Sequence, residues 1–300
     1  MNIKDVAIFT NGHLNQSSSE TIRSFPPIQN KLTIENDIFI EKLPRDESLK
    51  VFSACEPKGY NFDPVRQFGQ LYSFVRVNAP ESPPLKWDSD ERLQMCIGLS
   101  RLIHPTTISF EYSCRIRYEN NIILDIIPGP IADFGAKTWV AKEENRNWLT
   151  ESEGRELSYL FQAYFNANLP KRIKGAIWYL EYAFRTYYID LRWPIICIGL
   201  EYLIHTDLRK STRQFSFRIT RLAEELGFNG FNEDMAKEAY EMRSTLVHGQ
   251  LIRDLEGFRL ELYEEIERLL REVIKKAILE ATFAEIFSST DKIKERWPVR

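Results

Sequence analysis

The chain has 300 residues, of which 43% are hydrophobic and 28% charged, and a formal net charge of −3. That length and apolar content suit one large domain or two ordinary ones and exclude a disordered polar chain. The near-neutral total excludes a protein-wide field that steers the molecule to nucleic acid or membrane, so any phosphate-binding surface must be a local cluster of Lys and Arg.

From the N-terminus, MNIKDVAIFTNGHLN has no apolar core behind a basic start and so lacks the pattern of a signal peptide. No run reaches the roughly 18 apolar residues of a membrane span. The most apolar piece, Trp193–Ile204, is short and is interrupted by Glu201. A cytoplasmic protein without membrane contact is expected. Cys55, Cys96, Cys114 and Cys197 are scattered without zinc-like spacing, which predicts buried, reduced thiols and neither metal nor cofactor.

Residues 1–147 read as an α+β region with a sensing or regulatory role. Its first thirty residues, with Ser17-Ser18-Ser19 and Pro26-Pro27, are predicted to be irregular. Alternating apolar residues predict strands over Asp37–Leu43, Leu71–Val77, Ser109–Tyr118 and Ile122–Ile127. Glu119-Asn120-Asn121 reads as a hairpin turn, because Asn tolerates positive φ. One helix is predicted over Asp90–Ile103, ended by Pro105.

After Asn147 the pattern becomes helical, and residues 148–287 read as an up-and-down bundle followed by a tail, 288–300. Thr150 and Glu153 form a capping box opening a helix to Asn166. Pro170 suits a first helical turn, and Pro194 is read as the start of a nearly buried helix. Ser211 is read as the cap of a helix that Gly227 stops, and Asn232 as the cap of one that Gly249 stops. The last helix is expected from Asp254 to Leu279, giving six in all.

The fifth of these ends in YEMRSTLVHG, Tyr240 to Gly249. On a regular helix, residues five apart point about 140° from each other, an angle a long arginine can bridge. His248 lies at the helix C-terminus, where partial negative charge favours imidazolium, and histidine suits acid–base work near neutral pH. Arg243 offers a planar fork of donors that suits a phosphate. Together they are a minimum for cleaving RNA. The structural alternative pairs Arg243 with Glu238 or Glu241 and makes His248 a cap; spacing alone favours it.

Three motifs alter that balance: Leu200-Glu201, Phe215-Ser216-Phe217-Arg218-Ile219 and Tyr240-x-x-Arg243-Ser244-x-x-x-His248-Gly249, in that order. In these the sequence resembles the HEPN family, in its Apea-like branch, over roughly Glu151–Leu279. The resemblance implies a helical bundle that forms a homodimer and brings two Arg-x4-His motifs into one cleft. It also implies a metal-independent endoribonuclease, with Arg243 and His248 as the catalytic pair and Ser244 beside them. Toxins and phage-defence effectors occur in this family, as do members that bind RNA or nucleotide, or only dimerise, without cutting.

Glu201 interrupts an apolar helix, and an internal ion pair with Arg218 is the expected solution, since an unpaired buried carboxylate is expensive. His205, four residues on, lacks a third ligand for a metal and reads as hydrogen-bonded; His13 and His104 are isolated. RNA, whether tRNA or another cellular RNA, is the expected partner, contacted by Tyr240, Arg213 and Arg253. Lys171, Arg172 and Lys174 form one basic cluster, and Arg209, Lys210, Arg213 and Arg221 another. Both also read as solvated faces balanced by Glu224, Glu225 and Glu256. Trp178, Tyr179, Tyr182, Phe184, Tyr187 and Tyr188 serve a core, a dimer interface or base stacking.

Overall fold

The computed structural model describes residues 2–14, 21–24, 31–55, 72–77, 91–103, 105, 108–129, 149–186, 188–207, 210–251 and 259–299. They form two compact units, Met1–Gln162 and Ala163–Arg300.

The first unit is α+β. Its strands are β1 (Asn2–Leu14), β2 (Thr21–Ser24), β3 (Leu32–Glu35), β4 (Ile38–Lys42), β5 (Tyr72–Val77), β6 (Ile108–Glu119) and β7 (Ile122–Pro128). They pair antiparallel in the order β3-β4-β5-β1-β6-β7, with β2 also on β1. The predicted strands are present, but the expectation of an irregular N-terminus is overturned: β1 lies at the centre of the sheet. Its Asp5 is buried, and sequence patterning alone does not favour a strand with an interior carboxylate. The cost is offset across the sheet, where Arg115 of β6 faces Asp5 in register and donates two hydrogen bonds of 2.7 and 2.8 Å. Ser17–Ser19 and Pro26-Pro27 lie outside the described residues.

Asn120 and Asn121 turn β6 into β7 with φ of 51° and 64°, the left-handed pair that a two-residue hairpin needs. Two helices, α1 (Arg45–Cys55) and α2 (Glu91–Ile103), join the sheet. The reading of the sequence assigned no helix to the first; it starts beyond Pro44, whose carbonyl accepts from Ser48 N at 2.8 Å, and it buries Val51 and Cys55. These two pack with Val6, Leu43, Cys114 and Ile116. Cys55 and Cys114, far apart in sequence, are neighbours here. A hydrogen bond with the Cys55 thiol, together with burial, raises the Cys114 pKa well above the usual thiol range, so Cys114 stays protonated.

The next helix, α3 (Glu151–Asn166), starts with the predicted capping box: Thr150 N donates to Glu153 Oε2 at 2.7 Å, and Glu153 N donates to Thr150 Oγ1 at 3.3 Å. The division between units falls inside this helix, after Gln162, whereas the composition changes near Asn147. Its first turns serve the sheet: Ser158 Oγ donates to the Ile34 carbonyl at 2.7 Å.

The second unit is helical: α4 (Lys171–Arg185), α5 (Ile189–Ile204), α6 (Ser211–Glu225), α7 (Glu233–Val247), α8 (Leu260–Leu279), α9 (Ala281–Glu285), a short 3-10 turn and α10 (Thr290–Arg296). The most apolar helix, α5, is its centre. It begins five residues before Pro194, which lies inside it, so one backbone hydrogen bond is forgone in the second turn. Ser211 is the first residue of α6, not its cap; Lys210 precedes it without a side-chain cap bond. Asn232 caps α7 as expected, accepting from Met235 N at 3.0 Å. Gly227 and Gly249 follow α6 and α7 with φ of 75° and 92°, the left-handed stop that glycine favours. The segment 288–300, expected as a tail, contains α10 and buries Ile293 and Trp297; Trp297 Nε1 donates to Glu225 at 2.9 Å. No helix among the described residues is long and apolar enough to cross a membrane.

Candidate functional site

The position of the site follows from how α7 docks. The small Ala239 brings the α7 backbone close to α5, and its carbonyl accepts from Trp193 Nε1 at 3.0 Å and from Cys197 Sγ at 3.6 Å. Burial pushes the Cys197 thiol far up, so it remains a protonated donor. Next along the helix, the Tyr240 ring is buried against Phe215 of α6, with centroids 4.9 Å apart. These contacts set the azimuth of α7.

Arg243 lies one turn further on. Its guanidinium carbon is 5.3 Å from the Tyr240 ring centroid, and its Nη2 donates to Glu201 Oε2 at 3.4 Å. Glu201 Oε1 accepts from Thr206 Oγ1 at 2.5 Å and from the Tyr240 hydroxyl at 3.4 Å. The two charged side chains are 24% and 21% exposed, at the rim of the bundle rather than inside it. Arg243 Nε is buried and has no hydrogen-bond partner among the described residues.

The expected pair of Glu201 with Arg218 is therefore corrected: Glu201 meets Arg243. Arg218 is buried and donates to the carbonyls of Ile204 and Trp297, each at 3.3 Å, and to that of His205. The reason is local: α5 stops at Ile204, His205 takes φ 54°, and the exposed carbonyls of a helix C-terminus attract a cation. Burial lowers the Arg218 pKa. Nor do Glu238 and Glu241 take Arg243; the first pairs with Arg259 at 3.0 Å and the second with Lys237 at 3.8 Å.

His248 occupies the cap position of α7 with φ −84° and ψ 8°, and its N–H donates to the Ser244 carbonyl at 3.1 Å. The imidazole is exposed and has no hydrogen-bond partner among the described residues. Arg243, Tyr240 and Glu201 are thus brought together, whereas His248 sits at the open end of the same helix, outside that hydrogen-bonded group. Ser244 is half-buried. His205 faces Asp207 at 3.4 Å. Reciprocal hydrogen bonds with Gln214, at 2.7 and 3.0 Å, hold Asp207 in place, and the one reaching its carboxylate lowers the Asp207 pKa. Thr206, Asp207 and Gln214 were not anticipated from sequence; the only signal was their position around the end of α5.

Arg213 lies apart from Arg243, lining a cavity of 760 Å³ with Phe217, Arg221, Glu224, Glu233 and Trp297. Carboxylates balance the arginines there, with Arg221–Glu224 at 2.7 Å and Arg296–Glu225 at 3.0 Å. Arg253, Arg209, Glu256, His104 and Tyr187, and the side chain of His13, lie outside what is described. Arg172 is tied to the Tyr202 carbonyl at 2.6 Å and to Thr290 at 2.9 Å. Of the aromatic residues, Phe184 is in the core, Tyr179 is half-buried, and Trp178, Tyr182 and Tyr188 are exposed.

The arrangement offers a guanidinium about a quarter exposed, held by a carboxylate and a ring, and an exposed imidazole at the end of the same helix. The first suits binding and neutralising a phosphate; the second suits proton transfer. Compared with protein-family models, with curated proteins and with solved structures, the chain matches none of them.

Proposed function

We propose that the chain is a metal-independent endoribonuclease of the HEPN type. The observation that supports this best is the placement in the last turns of α7 of an anchored Arg243, about a quarter exposed, and an exposed His248. In this reading His248 takes the proton of a ribose 2′-hydroxyl and the 2′-oxygen attacks phosphorus. The 5′-oxygen then leaves with the proton given back by the resulting imidazolium, and the products are a 2′,3′-cyclic phosphate and a 5′-hydroxyl. Arg243 neutralises charge on the phosphorane, and Glu201 with Tyr240 holds it in position. Ser244 borders the phosphate, and Tyr240, buried against Phe215, serves substrate binding by supporting Arg243. Two copies form a dimer with both motifs in one cleft, the first unit regulates cleavage, and the substrate is tRNA or another cellular RNA. The proposal extends to a role as a toxin or phage-defence effector, which the family resemblance suggests.

A second reading rests on the Glu201–Arg243 pair itself: a guanidinium held by a carboxylate suits a module that binds RNA or nucleotide, or only dimerises, without cutting. Incubation of a tRNA and mixed RNA pool with EDTA separates the two. Cleavage that leaves cyclic phosphate ends and falls about 10²- to 10⁴-fold in His248→Ala is the expected result. Undiminished cleavage by that variant, or RNA binding without turnover by the parent, would favour the second reading.

A further inference from the structure

Every exposed position of α4 is either a cation or an aromatic ring: Lys171, Lys174, Trp178, Tyr182 and Arg185. They recur three or four residues apart and so lie along one face of a helix about 22 Å long. The only carboxylate of α4, Glu181, is buried and lies 3.8 Å from Arg185, which leaves no acid on the outer face. Trp178 and Tyr182 are 53% and 56% exposed with ring centroids 6.4 Å apart, although tryptophan is highly buried on average. Neither Lys171 nor Lys174 has an ion-pair partner among the described residues.

The face also runs against the stability of its own helix. The first turn holds Lys171, Arg172 and Lys174 with no acidic residue, so cations crowd the positive end of the helix dipole. Arg172 is tied to Tyr202 and Thr290, but Lys171 and Lys174 have no ion-pair partner among the described residues, and a local rule broken in this way is characteristic of a functional surface. A polyanion would relieve that repulsion, and flat rings beside the cations would meet bases rather than another charged surface.

We infer that the outer face of α4 is a stacking platform for single-stranded nucleic acid, with Trp178 and Tyr182 under successive bases and Lys171 and Lys174 on the phosphates. It rests on the ribonuclease reading for its choice of RNA, and it deepens that reading by making the substrate a single-stranded segment. Every base presents a π-face, so recognition here is tolerant of sequence. Duplex RNA, whose bases are already stacked, cannot use the rings.

The test uses the full chain carrying His248→Ala, which separates binding from cleavage, with a labelled single-stranded oligouridylate and anisotropy as the readout. Replacing Trp178 and Tyr182 together with alanine is expected to weaken binding on the order of tenfold per ring. The salt dependence should not change, and duplex RNA should bind as before. Lys171→Gln with Lys174→Gln should instead lower the slope of log affinity against log salt by about 1.4. Unchanged affinity without the rings, or no binding by the parent, overturns the inference. So does an aromatic variant that binds RNA normally but loses self-association in sedimentation velocity, which would make the face a contact between copies. Failure of the enzyme reading is visible separately, as absence of cleavage by the parent chain, while loss of oligouridylate binding on removing the rings still upholds the platform.

Discussion

Each unit contains an acid–arginine pair joining distant parts of its chain, and the two pairs are built differently. Asp5 and Arg115 are each 3% exposed and meet through two short hydrogen bonds in the middle of a sheet. Glu201 and Arg243 share one contact of 3.4 Å, retain a fifth to a quarter of their exposure and have two hydroxyls and a ring as further neighbours. A pair of the first kind is a permanent clamp, because exchange for water or ligand would strand a charge in the core. A pair of the second kind can open at little cost and lend its guanidinium to an incoming phosphate. Burial and the number of hydrogen bonds between the partners, rather than the residue types, distinguish the buried pair from the one proposed to bind phosphate.

The sharpest test of that contrast removes one partner at a time. Arg115→Ala should cost about 3–5 kcal/mol in urea unfolding followed on the first unit, since Asp5 is left buried and alone. Arg243→Ala should cost about 1 kcal/mol or less in the second while abolishing RNA cleavage. Equal stability losses would break the distinction.

Packing around α5 comes next in size. A Cβ on Gly199 would stand 3.1 Å from both the Leu270 and Tyr179 side chains, so Gly199→Val should destabilise the helical unit by about 1–3 kcal/mol. A smaller loss, about 1 kcal/mol, is expected for Asn232→Ala, which removes the cap of the helix that carries Arg243 and His248. Thermal unfolding and amide exchange along α7 would read it; an unaffected helix would show that docking on α5 alone holds the motif.

The smallest effect concerns Asp207. The hydrogen bond from Gln214 lowers its carboxyl pKa, so the interaction stabilises the folded state above the ordinary value of 3.8 and is lost as the pH falls through the depressed folded value. A carboxyl NMR titration of Gln214→Ala should show the Asp207 midpoint moving upward; an unmoved midpoint would remove Gln214 as the cause.

Features made within a few residues of chain were readable in advance. The Thr150–Glu153 box, the Asn232 cap, the glycine stops at Gly227 and Gly249 and the Asn120-Asn121 turn involve residues at most three apart, and each forms as expected. The α+β character of the first half and the helical character of the second followed from apolar periodicity for the same reason. Candidate site residues were legible as types and spacing: an arginine and a histidine on one helix end, and a glutamate on an apolar helix.

Their partners were not legible, because partnership is a matter of three-dimensional proximity. Glu201 had two arginines within its possible reach, and competition settled the choice: the free carbonyls at the end of α5 claim Arg218, which leaves Arg243 for the carboxylate. Asp5 and Arg115 are 110 positions apart, and only the sheet register explains why a strand with an interior acid is its centre. The same holds for Cys55 beside Cys114. The amino-acid sequence by itself determined the ends that close within a few residues, at Thr150–Glu153, Asn120-Asn121, Gly227, Asn232 and Gly249, since capping and turn energies are local. Tertiary structure decided which charges are buried, which remain at the surface and which rings face outward, since burial depends on what the rest of the chain brings alongside.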